Sequence, residues 1–232
     1  MATPILLFDV NETLLDLSAL DPLFQTALGD SRLRREWFLT LQTMWMTATI
    51  VNRYRPFNEL AEAALETTGA RHDRPLSRLD REAILNGVTK LPPHPDVPGA
   101  LEQLAASGIR MAALSNGTRK GLTGQLRHAQ IARFFEAVFS VDDVHRYKPA
   151  AEAYKYAAKQ LGAARSRVDL VSVHSWDIAG ARAAGLFTIF VRRPGHPANP
   201  ADAKPHLEVA DVGELARNIV ARRNQRVARS RR

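Results

Sequence analysis

The chain has no cysteine. That absence excludes a disulfide framework, a thiolate zinc site and a cysteine nucleophile. No stretch approaches the roughly 18 uninterrupted apolar residues that a membrane span needs. The first apolar run starts at Ile5, so no secretory leader is expected. The expectation from these absences is a cytoplasmic protein with no membrane partner. Acidic residues are absent from the C-terminus, where residues 217–232 hold seven Arg and no Asp or Glu. That tail accounts for most of the formal charge of +8 and for the pI of 10.3. Without it, 25 basic residues face 24 acidic ones, so the body is near neutral. An arginine-rich tail can bind polyanions through counterion release. A solvated or frayed terminus explains it more simply, and no nucleic-acid partner is expected.

What is present is an ordinary globular composition, 45 % hydrophobic over 232 residues. That suits one domain with a large insertion, or two modest ones. Apolar, β-rich runs recur at 5–8, 111–114, 137–141, 170–173 and 188–191. Between the later runs lie segments of helical period. Residues 149–161 carry Ala153, Tyr156, Ala157 and Leu161 on one stripe and close on Gly162 as a C-cap. Residues 178–184 end in the same way at Gly185. Alternating strands and helices with short connections predict an α/β protein built on a Rossmann-like, doubly wound parallel sheet.

One connection breaks the rhythm. Between the first two runs the sequence reads as helices over 31–52, 58–68 and 77–88, the last opened by the capping-box pattern Ser77-Arg-Leu-Asp80. Pro92-Pro93-His94-Pro95 then marks the return. The expected organisation is a core of residues 1–14 and 95–220, a helical cap of residues 15–94 and a basic, frayed tail of residues 221–232. A cap over the sheet's ligand edge would exclude water from the site beneath it.

The chemistry-bearing residues fall at the ends of the predicted strands, the edge where open α/β sheets bind ligands. Asp9 follows Ile5-Leu-Leu-Phe8 and could serve as a nucleophile, or as a helix cap or salt-bridge partner. Ser115 and Asn116 follow the second run and could hold an oxyanion or a halide, or form an Asn-Gly turn. Lys148 precedes Pro149, which is read as the first residue of a helix; a surface lysine is the plain alternative. Ser172, His174, Trp176 and Asp177 close the fourth run, where Asp177 could also cap the next helix.

Four motifs in this order, Asp9/Thr13, Ser115/Asn116, Lys148/Pro149 and Asp177-Ile-Ala-Gly-Ala181, resemble those of the haloacid dehalogenase superfamily of hydrolases. The resemblance reaches to about Val220 and includes the position of the cap. Many members are magnesium-dependent phosphatases, which carry a second Asp two residues after the nucleophile and another four residues before the final Asp. Here those positions are Asn11 and Val173. An amide cannot exchange a proton with a leaving group, and magnesium prefers several hard oxygen ligands. The chain is closer to the L-2-haloacid dehalogenase branch, which needs no metal or other cofactor. Asn116-Gly117, Tyr147-Lys148-Pro149, Tyr154, Ser175-Trp-Asp177 and Asn52-Arg-Tyr54 are similar to it.

That resemblance implies hydrolytic dehalogenation of short 2-haloalkanoic acids to 2-hydroxy acids through an ester on Asp9. Small haloacid and water are the expected partners, and a homodimer is allowed. Asp177 would serve the hydrolytic water, held by Ser172 and Lys148. Lys148 would also keep Asp9 ionised. Thr13 and Ser115, with the backbone at Val10 and Asn11, would hold the nucleophile and the substrate carboxylate. Tyr154 would orient Lys148 or Asp9. The chain departs from the branch at three places. Asn11-Glu12 stands where relatives carry Tyr-Gly, Phe38 follows Trp37 where they carry a halide-binding Arg, and His174 replaces Asn. His174, Asn116 and Trp176 are candidates to receive the halide in place of the missing Arg, and the strength of an imidazole donor opens defluorination as an activity. A hydrogen-bonded core histidine is the plain alternative for His174. Phe38, Trp45, Phe57 and Trp176 would line an apolar substrate pocket, although Trp45 could equally be cap packing. Two rival readings remain: a phosphatase with an altered metal site, and a catalytically idle binding protein on the same fold.

Overall fold

The computed structural model describes residues 4–230, with side chains described as far as Arg223. Strand β1 (Ile5–Phe8) consists of four apolar residues, all buried. A strand covered on both faces is characteristic of parallel sheets flanked by helices. The chain then forms a 3₁₀ turn at Leu17–Leu20 and four helices: α1 (Asp21–Leu28), α2 (Leu33–Ile50), α3 (Phe57–Arg71) and α4 (Arg78–Val88). Ser77 and Asp80 form the expected capping box of α4. From there α5 (Val97–Ala106), β2 (Met111–Ser115), α6 (Arg119–His128), β3 (Ala137–Ser140) and α7 (Ala151–Gln160) follow. The chain continues through β4 (Val168–Ser172), α8 (Ser175–Ala183), β5 (Phe187–Val191), β6 (Leu207–Val209) and α9 (Val212–Ser230). The six strands form one parallel sheet in the order β3-β2-β1-β4-β5-β6. Among the described residues no helix is long and apolar enough to cross a membrane.

Helices α1 to α4 pack mainly on one another. Trp37 on α2 donates to the Ala61 carbonyl on α3 at 3.0 Å, which fixes the two longest of them. Several polar links join them to the loop ahead of Lys148. Thr49 takes the Tyr147 N–H at 3.2 Å, Tyr147 donates its hydroxyl to the Arg55 carbonyl at 2.7 Å, and Tyr54 donates to Asp142. These bonds tie the end of α2 to the residues immediately before Lys148.

Three details differ from the sequence reading. Pro149 does not open α7; the helix starts at Ala151, with Ala150 extended ahead of it. The reason is a clamp on Lys148: Asn116 accepts its N–H at 2.8 Å and donates to its carbonyl at 3.3 Å, holding this segment out of helical geometry. Pro149 instead packs on α8, where a Cβ at Gly180 would stand 2.5 Å from the Pro149 carbonyl oxygen. A sixth strand and helices α1, α5, α6 and α9 join the elements read from sequence. The backbone of α9 runs through much of the basic tail, while residues 231 and 232 and the side chains from 224 onward, on which the expected fraying bears, lie outside the described residues.

Candidate active site

The sheet changes winding direction at β1: β2 lies on one side of it and β4 on the other. The crevice beyond the strand ends at such a reversal is the general ligand site of doubly wound sheets. Asp9, the first residue past β1, keeps the ladder by donating its N–H to Val171 at 3.0 Å and projects a buried carboxylate there. Lys148 reaches in from the β3–α7 connection and is fully buried. Its ammonium spends all three protons: on Asp9 Oδ1 at 2.7 Å, on Asp177 Oδ2 at 2.8 Å and on the Leu114 carbonyl at 3.3 Å. Asp177, in the first turn of α8, accepts a second hydrogen bond from Tyr154 at 2.5 Å. The expected partner of Tyr154 is thereby corrected. It orients Asp177 rather than Lys148 or Asp9, because α7 packs against α8.

Thr13 completes the cluster. Its hydroxyl donates to Asp9 Oδ2 at 2.6 Å and accepts the Val173 N–H at 3.1 Å, so the proton is directed at the nucleophile. The N–H groups of Val10 and Asn11 donate to no acceptor among the described residues, which leaves two backbone donors beside Asp9 for an anion. Asn11 accepts from Gln125 at 3.0 Å through its side chain. Ser115 accepts the Gly117 N–H, and Ser172 accepts the His174 N–H. Both shape the loops at the strand ends.

Burial alone would raise Asp9, but the charges of Lys148 and His174 and the hydrogen bonds from Lys148 and Thr13 outweigh it and hold this carboxyl below its ordinary value. Asp177 goes the other way. Burial raises it, helped by the nearby charge of Asp9, and Lys148 and Tyr154 offset only part of that. Burial lowers Lys148, yet the two carboxylates more than compensate and push it up. The cluster thus holds an ionised carboxylate suited to attack and a second carboxylate with greater than usual affinity for a proton.

Beside Asp9 is a small chamber of about 20 Å³ lined by Asp9, Asn11, Ser115, Asn116 and the rings of Phe38, Trp45, Phe57, His174 and Trp176. A cavity needs roughly 10–15 Å³ to hold one water, so the chamber is water-sized. A larger cavity of about 640 Å³ adjoins it and opens to solvent. Phe38, His174 and Trp176 line both spaces and form the partition between them. His174 stacks on Trp176 with ring centres 4.9 Å apart, and Phe38 leans on His174 at 5.9 Å. Phe38, Trp45 and Phe57 all come from α2 and α3, so these helices form the roof over Asp9.

Two features of the site escaped sequence reading. The indole N–H groups of Trp45 and Trp176 are buried without a hydrogen-bond partner, an unusual cost for any buried donor. Glu12 lies just beyond Asp9 with φ 65, in the left-handed region, and is buried beside His174 and His196. A charged residue at a position where the resemblance called for glycine was the one available signal. His196, in the loop after β5, gave none.

Residues 3–185 match the haloacid dehalogenase-like hydrolase family. The (S)-2-haloacid dehalogenase H-109 of Pseudomonas putida is 32 % identical over 220 residues, covering 91 % of this chain and 95 % of that protein. The haloacetate dehalogenase H-2 of Moraxella sp. (strain B) is 29 % identical over 155 residues, 67 % of this chain and 69 % of the relative. Among solved structures, the L-2-haloacid dehalogenase RSc1362 superposes with a TM-score of 0.90 at 26 % identity, covering 94 % and 99 % of the two chains. The chain belongs to the haloacid dehalogenase-like hydrolase family.

Proposed function

We propose that this hydrolase cleaves the carbon–halogen bond of short 2-haloalkanoic acids. The observation that carries the proposal is the buried Asp9–Lys148–Asp177 cluster beside an aromatic chamber. Asn11 and Val173 occupy the positions at which a phosphatase of this superfamily would carry carboxylates. The relatives named for (S)-2-haloacids and haloacetate support the same substrate class. In the first step Asp9 Oδ2, the oxygen nearer His174, attacks the α-carbon. The carbon–halogen bond breaks with its electron pair leaving as halide, and an ester forms. Water then adds to the Asp9 carboxyl carbon while Asp177 takes its proton, and the 2-hydroxy acid departs with Asp9 restored. The free N–H groups of Val10 and Asn11 hold the substrate carboxylate. Residues 15–94 act as the cap, with Phe38, Trp45 and Phe57 forming its face over Asp9.

The experiment is a halide-release screen across fluoro-, chloro- and bromoacetate and the two 2-chloropropionate enantiomers, with and without chelator. Release from the (S) enantiomer, unchanged by chelator, is expected. Aryl-phosphate hydrolysis restored by magnesium, with no halide release, would favour the phosphatase reading instead.

The halide needs donors where the cap arginine is missing, since a desolvated anion without them is costly. The unpaired indole N–H groups of Trp45 and Trp176 supply that role best, joined by the second amide proton of Asn116 and by His174. Removing one preorganised donor typically costs about 10²–10³ in kcat. Trp45→Phe, which removes the indole N–H and keeps an aromatic ring at the position, should lower kcat for chloroacetate by about 10²-fold with folding intact. His174→Asn should reduce fluoride release more than bromide release, because fluoride gains most from a charge-assisted donor. Unchanged kcat in Trp45→Phe would remove the indole from the halide site. Equal losses for both halides in His174→Asn would remove the imidazole.

A further inference from the structure

We propose that Glu12, His174 and His196 form a binding site for a borderline divalent cation of the zinc class. We further propose that filling this site switches off the Asp9 centre by taking His174 away from it. The three residues come from three different loops at the C-terminal edge of the sheet: after β1, at the start of α8 and after β5. His196 Nε2 lies 3.5 Å from Glu12 Oε1, and His174 Nε2 lies 3.7 Å from Glu12 Oε2. One ligand atom from each residue falls within 4.8 Å of the other two. Zinc bonds of about 2.0–2.1 Å place tetrahedral ligand atoms about 3.3 Å apart, so small side-chain rotations close the set.

The Glu12 carboxylate has no part in the reaction proposed above. Its side chain is 10 % exposed, and it accepts no hydrogen bond among the described residues although three nitrogens stand within 3.7 Å. Its backbone is held at φ 65, a conformation disfavoured for a residue with a side chain, and such strain gathers at ligand sites. Arg34 and Arg35 are cations facing the cluster from α2; Arg34 lies 3.6 Å from Glu12 and is paired with Asp21 at 2.5 Å, and Arg35 lines the same cavity. Asp9 stands on the far side, 3.7 Å from His174 Nε2. All three proposed ligands line the 640 Å³ cavity, which leaves room for water at the open positions. Two imidazoles and one carboxylate suit zinc, cobalt or nickel, whereas magnesium prefers an all-oxygen set.

Occupation bears directly on the reaction proposed above. His174 Nε2 is the atom that faces Asp9 Oδ2 and the Asn11 carbonyl, the latter at 3.3 Å. Once its lone pair is on a metal it has no proton to donate to substrate or halide. Metal and reaction therefore compete for one nitrogen. The binding half of the proposal stands apart from the reaction, and only the inhibition half rests on the dehalogenase reading.

The test titrates the full chain with zinc chloride by calorimetry and with cobalt(II), read by its visible ligand-field absorption, alongside halide release. The expected result is a single zinc equivalent and a cobalt spectrum of low-symmetry, nitrogen-containing coordination. Activity should fall in step with zinc occupancy and recover with chelator. His196→Ala lies in a loop outside the reacting centre. It should keep metal-free activity, weaken zinc by more than about tenfold and lose the inhibition. Glu12→Gln should abolish the cobalt spectrum. Zinc binding unchanged in both variants would overturn the site. Binding lost in the variants but without inhibition in the native chain would overturn the switch. If the chain released no halide at all, calorimetry and the cobalt spectrum would still decide the site.

Discussion

Asp9→Asn should lower halide release by at least about 10⁴-fold, the scale of losing a nucleophile, while leaving the fold intact. In a single turnover of the native enzyme in heavy-oxygen water, the label should enter the Asp9 carboxylate before any appears in product. The geometry underlies both expectations. One Asp9 oxygen is held by Lys148 and the other by Thr13, so the carboxylate cannot turn away from the chamber. Lys148 and Thr13 also keep it ionised against the effect of burial. An amide at this position is nearly isosteric but far less nucleophilic. Label arriving in product with none in Asp9 would mean that water attacks the α-carbon directly, and the ester mechanism would have to be abandoned.

Lys148→Met should be nearly as damaging, and in a way that pH reveals. The substitution keeps the length of the stem and removes the cation between two buried carboxylates. Breaking a buried pair by deleting one partner typically costs about 3–5 kcal/mol. In the native protein Lys148 has a raised pKa. Its contribution to stability is therefore complete below its ordinary value of 10.5 and is lost as pH rises through the raised folded value. Asp9, with its pKa depressed, contributes stability above its ordinary value that is lost as pH falls through the depressed one. Asp177 opposes it. Raised in the fold, it favours folding when protonated and gives that back as pH climbs past the ordinary carboxylate value. Without Lys148 both carboxylates must resist ionisation. Melting temperature of the variant should therefore fall as pH rises from about 4 to 7, relative to native protein over the same range. A parallel offset at every pH would show that the lysine acts through packing alone.

The parts of this molecule legible in its sequence are those whose signal is local. Ile5 to Phe8 reads as a buried strand because four apolar residues in a row have no polar face, and Asp9 is conspicuous for ending them. Ser77 and Asp80 announce α4 because a capping box is a short-range motif. Strand β6 has three residues, one of them exposed Glu208, too short to alternate visibly. Helix α6 begins Arg119-Lys-Gly and carries a second glycine at Gly124, which conceals its period. At the site, Asp9, Thr13, Lys148 and Asp177 meet as the motifs imply. The partner of Tyr154 depended on how α7 sits against α8, which no local pattern encodes. The Glu12–His196 pairing spans most of the chain and joins a strained loop residue to a proline-rich one. Only the folded geometry could bring that pair into view.

The hydrogen bond from Lys148 to Asp9 joins residues 139 positions apart. Closing so long a loop costs entropy before any contact repays it, and charges of both signs remain hydrated until the sheet excludes water from around them. The cluster is therefore expected to form late in folding, after β1, β2 and β4 have aligned, with a φ-value near zero for Lys148→Met as the check. Interactions absent from the transition state govern how fast a protein comes apart rather than how fast it assembles. On that expectation the arrangement that arms Asp9 is, in kinetic terms, a latch, one that would slow escape from the native state and leave the route into it unchanged.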